Sequence, residues 1–324
     1  MKPKTGWSGQ SWASQSPYNR FFDFIAPNAD RYAILLEHIE SLGLNSAVIP
    51  IAGNRHIFIF PPGQKSLRSR GGVFPFKGQN PIMMSAHYDR VPGSPGANDN
   101  SIAVFHLLSA AMTLAGRGGR GKPSGEERWM IVFTDKEELS PGESFEAQGS
   151  FTLAKKLKTW GLECLRIFNF DACGAGNTFI ISTTTDCILK ESDRAGIKEV
   201  RKNVVRLRDY ALETANLLRL EKVLLAPTPF SDDVGFLRAG LAAQTVTMLP
   251  DKEAEHYESL LRSRPDFADF IISGKINEPA ERRGLPETWR SMNNASDNVS
   301  RLTPQHFENI VRFMVELCRK EKQG

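Results

Sequence analysis

Three apolar runs, "PIMMSAHYD", "RWMIVFTDKEE" and "CLRIFNFDACGAG", alternate along the chain with two helix-like segments, "SIAVFHLLSAAMTLAG" and "SFTLAKKLKTWGL". Strand, helix, strand, helix, strand is the order that builds a parallel sheet, because each crossover has to pass over one face of the sheet and so covers it. The alternation predicts an α/β fold with a mixed, mostly parallel sheet covered by helices on both faces. Each run also ends in acids or His: His87 with Asp89, Glu137 with Glu138, and Asp171. In open α/β sheets the ligand crevice lies outside the carboxyl ends of the strands, so these side chains are expected to converge in space.

The rest of the chain fits around that unit. "DRYAILLEHIESLGL" reads as a helix with Asp30 as N-cap and Gly43 near its end. "AVIPIAGNRHIFIF" reads as a hairpin around the Gly53–Asn54 pair, with "PPGQKSLRSRGG" as a loop after it. The second half offers a long amphipathic helix around "IKEVRKNVVRLRDYALETANLLRL", a loop "APTPFSDDVGFLRAG" and a strand "LAAQTVTML". A less regular stretch from Asp251 to Asn294 and a final helix "TPQHFENIVRFMVELCRKEK" complete it. No internal repeat or flexible linker divides the chain, so residues 1–324 are expected to form a single domain, with 1–29 as an N-terminal arm and 251–294 as a lid insertion.

Composition excludes several classes. The 41 Lys and Arg against 37 Asp and Glu give a net charge of +4, too weak an excess to indicate a nucleic-acid partner. Basic residues cluster only in "RSRGG", "GRGGRGK" and the tail "CRKEKQG". Cys164, Cys173, Cys187 and Cys318 fall at no metal-ligand spacing, so mostly free thiols in a reducing compartment are expected, with one disulfide left open. The N-terminus lacks an apolar core of signal-peptide length, and no run approaches the roughly 18 apolar residues of a membrane span. The expectation is a soluble cytoplasmic protein with no membrane partner; the sequence does not speak to oligomeric state.

The strand-end residues have an ordinary and a chemical reading. His87 and Asp89, at i and i+2, share one face of a strand, so Asp89 can orient the imidazole as a carboxylate behind a metal ligand; the ordinary reading is a surface hydrogen bond. Asp99 follows in a turn-rich loop entering a helix, where its carboxylate can reach back over the strand ends. Adjacent Glu137 and Glu138 suit divided labour, one binding metal and one handling a water proton, although such pairs also occur at solvated strand ends and helix N-termini. Asp171 alone says little. All three endings at successive strands together point to a metal site.

"SAHYD…GANDN", "IVFTDKEEL…QGS", "FNFDACG" and "SDDVGFLRAGLAAQTVTM" resemble the co-catalytic zinc exopeptidases, the zinc aminopeptidase family that includes glutaminyl cyclases, from about residue 30 to the C-terminus. The resemblance implies that His87 and Asp171 bind one zinc, that Glu138 and a late His bind another, and that Asp99 bridges the two. It implies Glu137 as general base, a cis Asp99–Asn100 peptide, and a peptide or aminoacyl substrate with a free N-terminus held near the metals. Asp89 joins Glu137 in the expected catalytic set. Two positions depart from the pattern. Asn293 stands four residues before Asp297 where the late His belongs, and Ser231-Asp232-Asp233 replaces the usual Ser-Asp-His near the substrate pocket.

The leading expectation is therefore a zinc aminopeptidase-like hydrolase. His87, Asp99 and Asp171 are expected to hold one zinc tightly. The site of Glu138 and Asn293 should be weak, empty or filled by a harder divalent cation such as Mg²⁺ or Mn²⁺, because an amide oxygen suits hard ions better than zinc. One alternative is a glutaminyl-peptide cyclase, which shares an insertion such as "LSPGESFEAQ" but in this family depends on the missing His and carries Trp where Met292 stands. The other is a catalytically impaired homologue acting as a binding protein, against which the retained Glu137 and Glu138 speak. His38, His56, His106 and His306 are expected to be structural or at the surface, and His256 to sit in the lid. Tyr257, Phe267, Phe270 and Trp289 are read as pocket walls or packing, at least half of them packing.

Overall fold

The computed structural model describes residues 9–64, 76, 80–116, 128–189, 195–272 and 284–319. Eight strands, β1 (Asn45–Ile51), β2 (Asn54–Phe60), β3 (Ile82–His87), β4 (Trp129–Thr134), β5 (Arg166–Phe170), β6 (Thr178–Ser182), β7 (Val223–Ala226) and β8 (Ala243–Leu249), form one sheet. Their order is β1-β2-β4-β3-β5-β8-β6-β7. The central four, β4, β3, β5 and β8, are parallel, while β2 and β6 run antiparallel to their central neighbours. The sheet is thus mixed and mostly parallel, in line with the strand and helix alternation. From β3 the chain crosses to β4 on one side and then returns to β5 on the other. That reversal puts the crevice at the carboxyl end of β3, where His87 stands.

All six residues of β3 and all six of β4 are buried, which is why both read as unbroken apolar runs. Successive residues point to opposite faces. Met84, Ala86, Ile131 and Phe133 face a layer formed by α2 (Arg31–Ser41), α3 (Ile102–Leu114), α6 (Ala195–Leu217) and α11 (Phe307–Arg319). Met83, Met130 and Val132 face α4 (Gly149–Thr159) and α7 (Asp232–Arg238), through Leu153, Leu157 and Phe236. Near β6 a third cluster joins Ile180 and Leu249 to α8 (Asp251–Ser263), α9 (Pro265–Ile272) and α10 (Glu287–Arg290). The short α5 (Thr184–Leu189) follows β6.

Several local expectations change. The hairpin turns at Ala52–Gly53, both at positive φ (51° and 88°), with Ile51 opposite Asn54; Gly at the second turn position makes that mirror-image turn accessible. Strands β6 and β7 had no signal because the apolar run of β6 is only Phe179–Ile181 between Thr and Ser, and β7 is short and only partly buried. The loop before β8 contains α7, and the described part of 251–294 is largely helical. The N-terminal arm packs into the core: after α1 (Phe21–Ile25) is placed, Phe21 and Phe24 are fully buried beside Trp12 and Tyr18. Trp12 lies edge-on to Phe21 and Phe307 at 5.0 and 5.2 Å. Burying each such ring stabilises by about 1.5–3 kcal/mol, so this segment is a structural part of the helical layer. No cysteine is in a disulfide. Among the described residues no helix is long and apolar enough to cross a membrane. Residues 1–8 of the arm, 273–283 of the lid, the loop from Lys65 and most of the basic clusters lie outside the described residues.

Candidate metal centre

Strand endings bring the predicted acids around one imidazole. His87 is 1% exposed, and its Nε2 lies 3.2 Å from Asp99 Oδ1 and 3.9 Å from Asp171 Oδ2. Its Nδ1 lies 3.4 Å from Asp89 Oδ1. Two sets, His87 with Asp99 and Asp171, and His87 with Glu137 and Glu138, each have ligand atoms within 4.8 Å of one another. A single imidazole at the switch point thus serves both groupings.

Backbone hydrogen bonds hold these carboxylates in place. Asp89 accepts from the amides of Glu137 and Glu138 at 3.1 and 3.0 Å, so the same carboxylate that faces His87 also fixes the Glu pair. Asp297 accepts from the amides of Asn98 and Asp99, both at 2.9 Å, and secures the loop that carries Asp99. The Asp99–Asn100 peptide is cis. Asn100 Nδ2 donates to Phe170 O at 2.8 Å and Asn98 Oδ1 accepts from Gly174 N at 2.8 Å, tying that loop to the end of β5. Ser231 Oγ donates to Asp171 Oδ2 at 2.6 Å.

Crowding of like charge dominates the electrostatics. Burial raises the pKa of Glu137, and the charges of Glu138, Asp232 and Asp171 raise it further. Glu138 and Asp171 are raised for the same reason, burial first and then the Asp99 charge. For His87, burial pulls the pKa down, but the carboxylates of Asp89 and Asp99 against its nitrogens outweigh it and the net shift is upward. Such a set of acids around one imidazole is the charge pattern that a divalent cation neutralises.

The residues fit a metal ion. Both nitrogens of His87, Asp171 Oδ1 and Glu138 Oε1 are buried without a hydrogen-bond partner, and buried polar atoms ordinarily have one. One imidazole and two carboxylates whose ligand atoms lie within 4.8 Å of one another form a donor set suited to zinc or a similar divalent ion with an open position. Asn293 is placed differently: it is exposed, on a turn, at φ 63°. Asp232 and Asp233 are 0% and 1% exposed in the first turn of α7. Asp232 Oδ2 accepts from Thr134 Oγ1 at 2.5 Å, and burial raises Asp233 to about 7. A narrow cleft beside Asp171 is walled by Thr228, Phe230, Ser231, Trp289 and Met292. Tyr257 and Phe267 are packing residues, while Trp289 packs on Tyr257 at 5.0 Å and also reaches the cleft. His38, His56 and His106 are buried within the fold and His256 is exposed on α8.

Two contributors escaped the sequence reading. Arg31, 6% exposed, donates to Asp89 O at 2.8 Å and to Ser101 Oγ, so it grips both ends of the loop bearing Asp89 and Asp99. A cation in the first turn of a helix opposes the dipole, and that local misfit was the available signal. Gln148 Nε2 donates to Glu137 Oε1 at 2.9 Å; the sequence places it in the "QGS" motif and at the end of an insertion, with no role of its own.

Comparison with known proteins bears on the fold and the family. Among solved structures, BSAP, a zinc aminopeptidase from Bacillus subtilis, superposes with a TM-score of 0.50 at 17% identity, covering 82% of this chain and 50% of that one. The chain therefore spans about half the length of that aminopeptidase. A Porphyromonas gingivalis glutaminyl cyclase gives a TM-score of 0.58 at 15% identity, covering 94% of this chain and 95% of that one. A Zn-dependent exopeptidase from Parabacteroides distasonis gives 0.56 at 13% identity, covering 93% and 96%. At these identities the likeness is one of fold. A search of curated proteins finds no match. The sequence profile of peptidase family M28 matches residues 72–315, well over half the chain and all of the strand ends described above, and the chain belongs to that family.

Proposed function

We propose that the chain is a zinc-dependent aminopeptidase-like hydrolase that releases N-terminal residues from peptides, with Glu137 as general base. The observation that carries this reading is the Glu137–Glu138 pair, fixed by Asp89 through two backbone amides beside the set of His87, Asp99 and Asp171. Zinc held by His87, Asp99 and Asp171, with Glu138 alongside, would supply Lewis acidity toward the scissile carbonyl. Gln148 occupies Glu137 Oε1 and leaves Oε2 to take a proton from the attacking water. Glu137 then returns that proton to the departing amine, so the base regenerates within one turnover. Asp89 keeps the imidazole of His87 and the Glu pair in fixed relation. The surrounding carboxylates favour a free α-ammonium, which is why an N-terminal residue is the expected substrate end.

Glu137→Gln tests the assignment, because it keeps shape and removes the base. Turnover of aminoacyl amides and peptides should fall by roughly 10²- to 10⁴-fold with metal content unchanged. Full activity in this variant would end the proposal. A panel including N-terminal glutaminyl peptides separates cyclase chemistry, in which the substrate's own amine attacks: loss of ammonia without peptide cleavage would favour that reading instead.

A further inference from the structure

We propose that Gln148 is the positioning residue for the general base, and that Gly149 and Gly235 allow it to reach Glu137. The inference rests on Glu137 being the base. Gln148 immediately precedes α4 at its N-cap position, yet its side chain makes no capping hydrogen bond. Caps favour Ser, Thr, Asp or Asn, so the helix does not account for Gln here. The side chain is 2% exposed and turns toward Glu137, where Nε2 lies 2.9 Å from Oε1 and 3.4 Å from the main-chain oxygen. As the base Glu137 is ionised and only accepts, so the amide nitrogen faces it and Oε1 of Gln148 points away. That oxygen is buried without a partner, a desolvation cost with no compensating bond. Stability alone therefore gives no reason to keep the amide.

Two glycines create the approach. Gly149 N donates to Lys136 O at 2.8 Å, and a Cβ at Gly149 would collide with Asp135 O. The segment leading to the Glu pair can thus lie directly against the start of α4. On the other side, a Cβ at Gly235 would come within 2.6 Å of Gln148 Oε1 and collide with Ser150 Oγ. A side chain at 235 would push the amide off its line to Glu137. With the amide in place, one carboxylate oxygen is fixed and the other keeps a constant direction for the proton it takes. A displacement of the order of 1 Å in such a group can cost roughly 10²-fold in rate.

Gln148→Leu removes the donor and keeps most of the volume, while Gly235→Ala crowds Gln148 Oε1 together with Ser150 Oγ and Phe151 N, so its thermal melt is measured beside its kinetics. Each should lower kcat by roughly 10- to 10²-fold with KM within about twofold and zinc content unchanged. The double variant should be no worse than the more impaired single one, because both act through one contact. Independently of activity, the side-chain NH₂ of Gln148 in the unmodified protein should exchange slowly with solvent in ¹⁵N spectra, and its resonances should move in Glu137→Gln. An amide that exchanges freely, or is indifferent to Glu137→Gln, overturns the inference whatever the variants do. So does Gln148→Leu with unchanged kcat, or with lost zinc; if Glu137→Gln is inactive in the same assay, only the role of Gln148 falls. If Glu137→Gln is fully active, the base assignment falls with it.

Discussion

His87 ends a strand whose six residues are all buried, whereas Asn293 sits on an exposed turn in the left-handed region at φ 63°. Yet the late loop is not loose throughout. Four residues on, Asp297 is 1% exposed and holds the amides of Asn98 and Asp99. The loop therefore keeps the carboxylate that secures the Asp99 segment, while the position where the family resemblance places a ligand carries an amide. A ligand on a central strand cannot change without disturbing the sheet around it. A ligand on an exposed turn can, and Asn is among the residues that tolerate that backbone conformation. The difference predicts one well-built metal position and one that is incomplete.

The largest effect should separate the two regions outright. His87→Ala should abolish tight zinc binding, exceeding the roughly 10- to 100-fold loss seen when a residue behind a ligand is removed. Asn293→Ala should leave zinc affinity unchanged. Chelator-competition titrations of both variants would break the comparison if they lost zinc equally.

Acid then tests whether a loss belongs to the site or to the fold. His106 is fully buried, with Tyr18 Oη 2.8 Å from its Nδ1, and burial pulls its pKa down to about 3. Burial also lowers His38, partly offset by its contact with Pro17 O at 2.5 Å. An unfolded imidazole titrates near ~6.5, so the unfolded chain binds protons that the folded chain refuses. The stability that His106 contributes is fully present above about pH 6.5 and is lost as pH falls toward 3, by up to roughly 3–5 kcal/mol. The raised carboxylates of the site pull the other way, since they gain stability in the zinc-free protein as pH falls, so the test is a difference: between pH 7.5 and pH 5 the urea midpoint of zinc-free His106→Gln should move further in favour of acid than that of the unmodified protein. The same pH dependence in the two proteins would mean that the imidazole is solvated.

A smaller change probes the part of the late loop that remains structural. Asp297→Asn leaves one acceptor oxygen for two amides and places an NH₂ group against the other. Losing one charge-assisted bond should cost about 1.5–3 kcal/mol of stability or an equivalent loss of zinc affinity through Asp99. Calorimetry of zinc-free and zinc-loaded protein distinguishes the two. No effect on either would show that Asp99 is held by its strand-side contacts alone.

These contrasts also explain what the sequence made legible. β3, β4 and β5 were readable because burial on both faces leaves nearly unbroken apolar runs, and their final residues stood out against them. β6 and β7 were not, the first because its apolar run is three residues between Thr and Ser and the second because it is short and only partly buried, and neither was the packed N-terminal segment, whose aromatics are spaced irregularly. His87, Asp99 and Asp171 meet where strand order reverses, a rule about folds that needs no coordinates. Arg31 and Gln148 act through contacts across 58 and 11 residues of chain with partners that no local pattern announces. Ligand identity is written in residue type, but the groups that aim a ligand or a base are set by tertiary approach.

The smallest expected effect is the most exacting test of the comparison. Asn293→His restores an imidazole without straining the turn, since His also tolerates the left-handed region better than most residues. The side chain at 293 is exposed, so no core packing opposes the change. The turn itself is tied down through Asn294, which donates to Arg290 O and Met292 O and accepts from Ser94 Oγ, but the side chain at 293 projects from an exposed position outside those contacts. A ligand held loosely spends conformational entropy on each metal it binds, so the second ion should be weaker than the first. Elemental analysis of Asn293→His should show more than one zinc per chain in zinc excess, falling back to one on mild chelation, with hydrolysis raised less than tenfold, equivalent to under about 1.4 kcal/mol. Two ions held equally tightly in the variant would mean that the turn is as well organised as the strand end. Two tightly held ions in the unmodified protein would mean that Asn293 was never the deficiency.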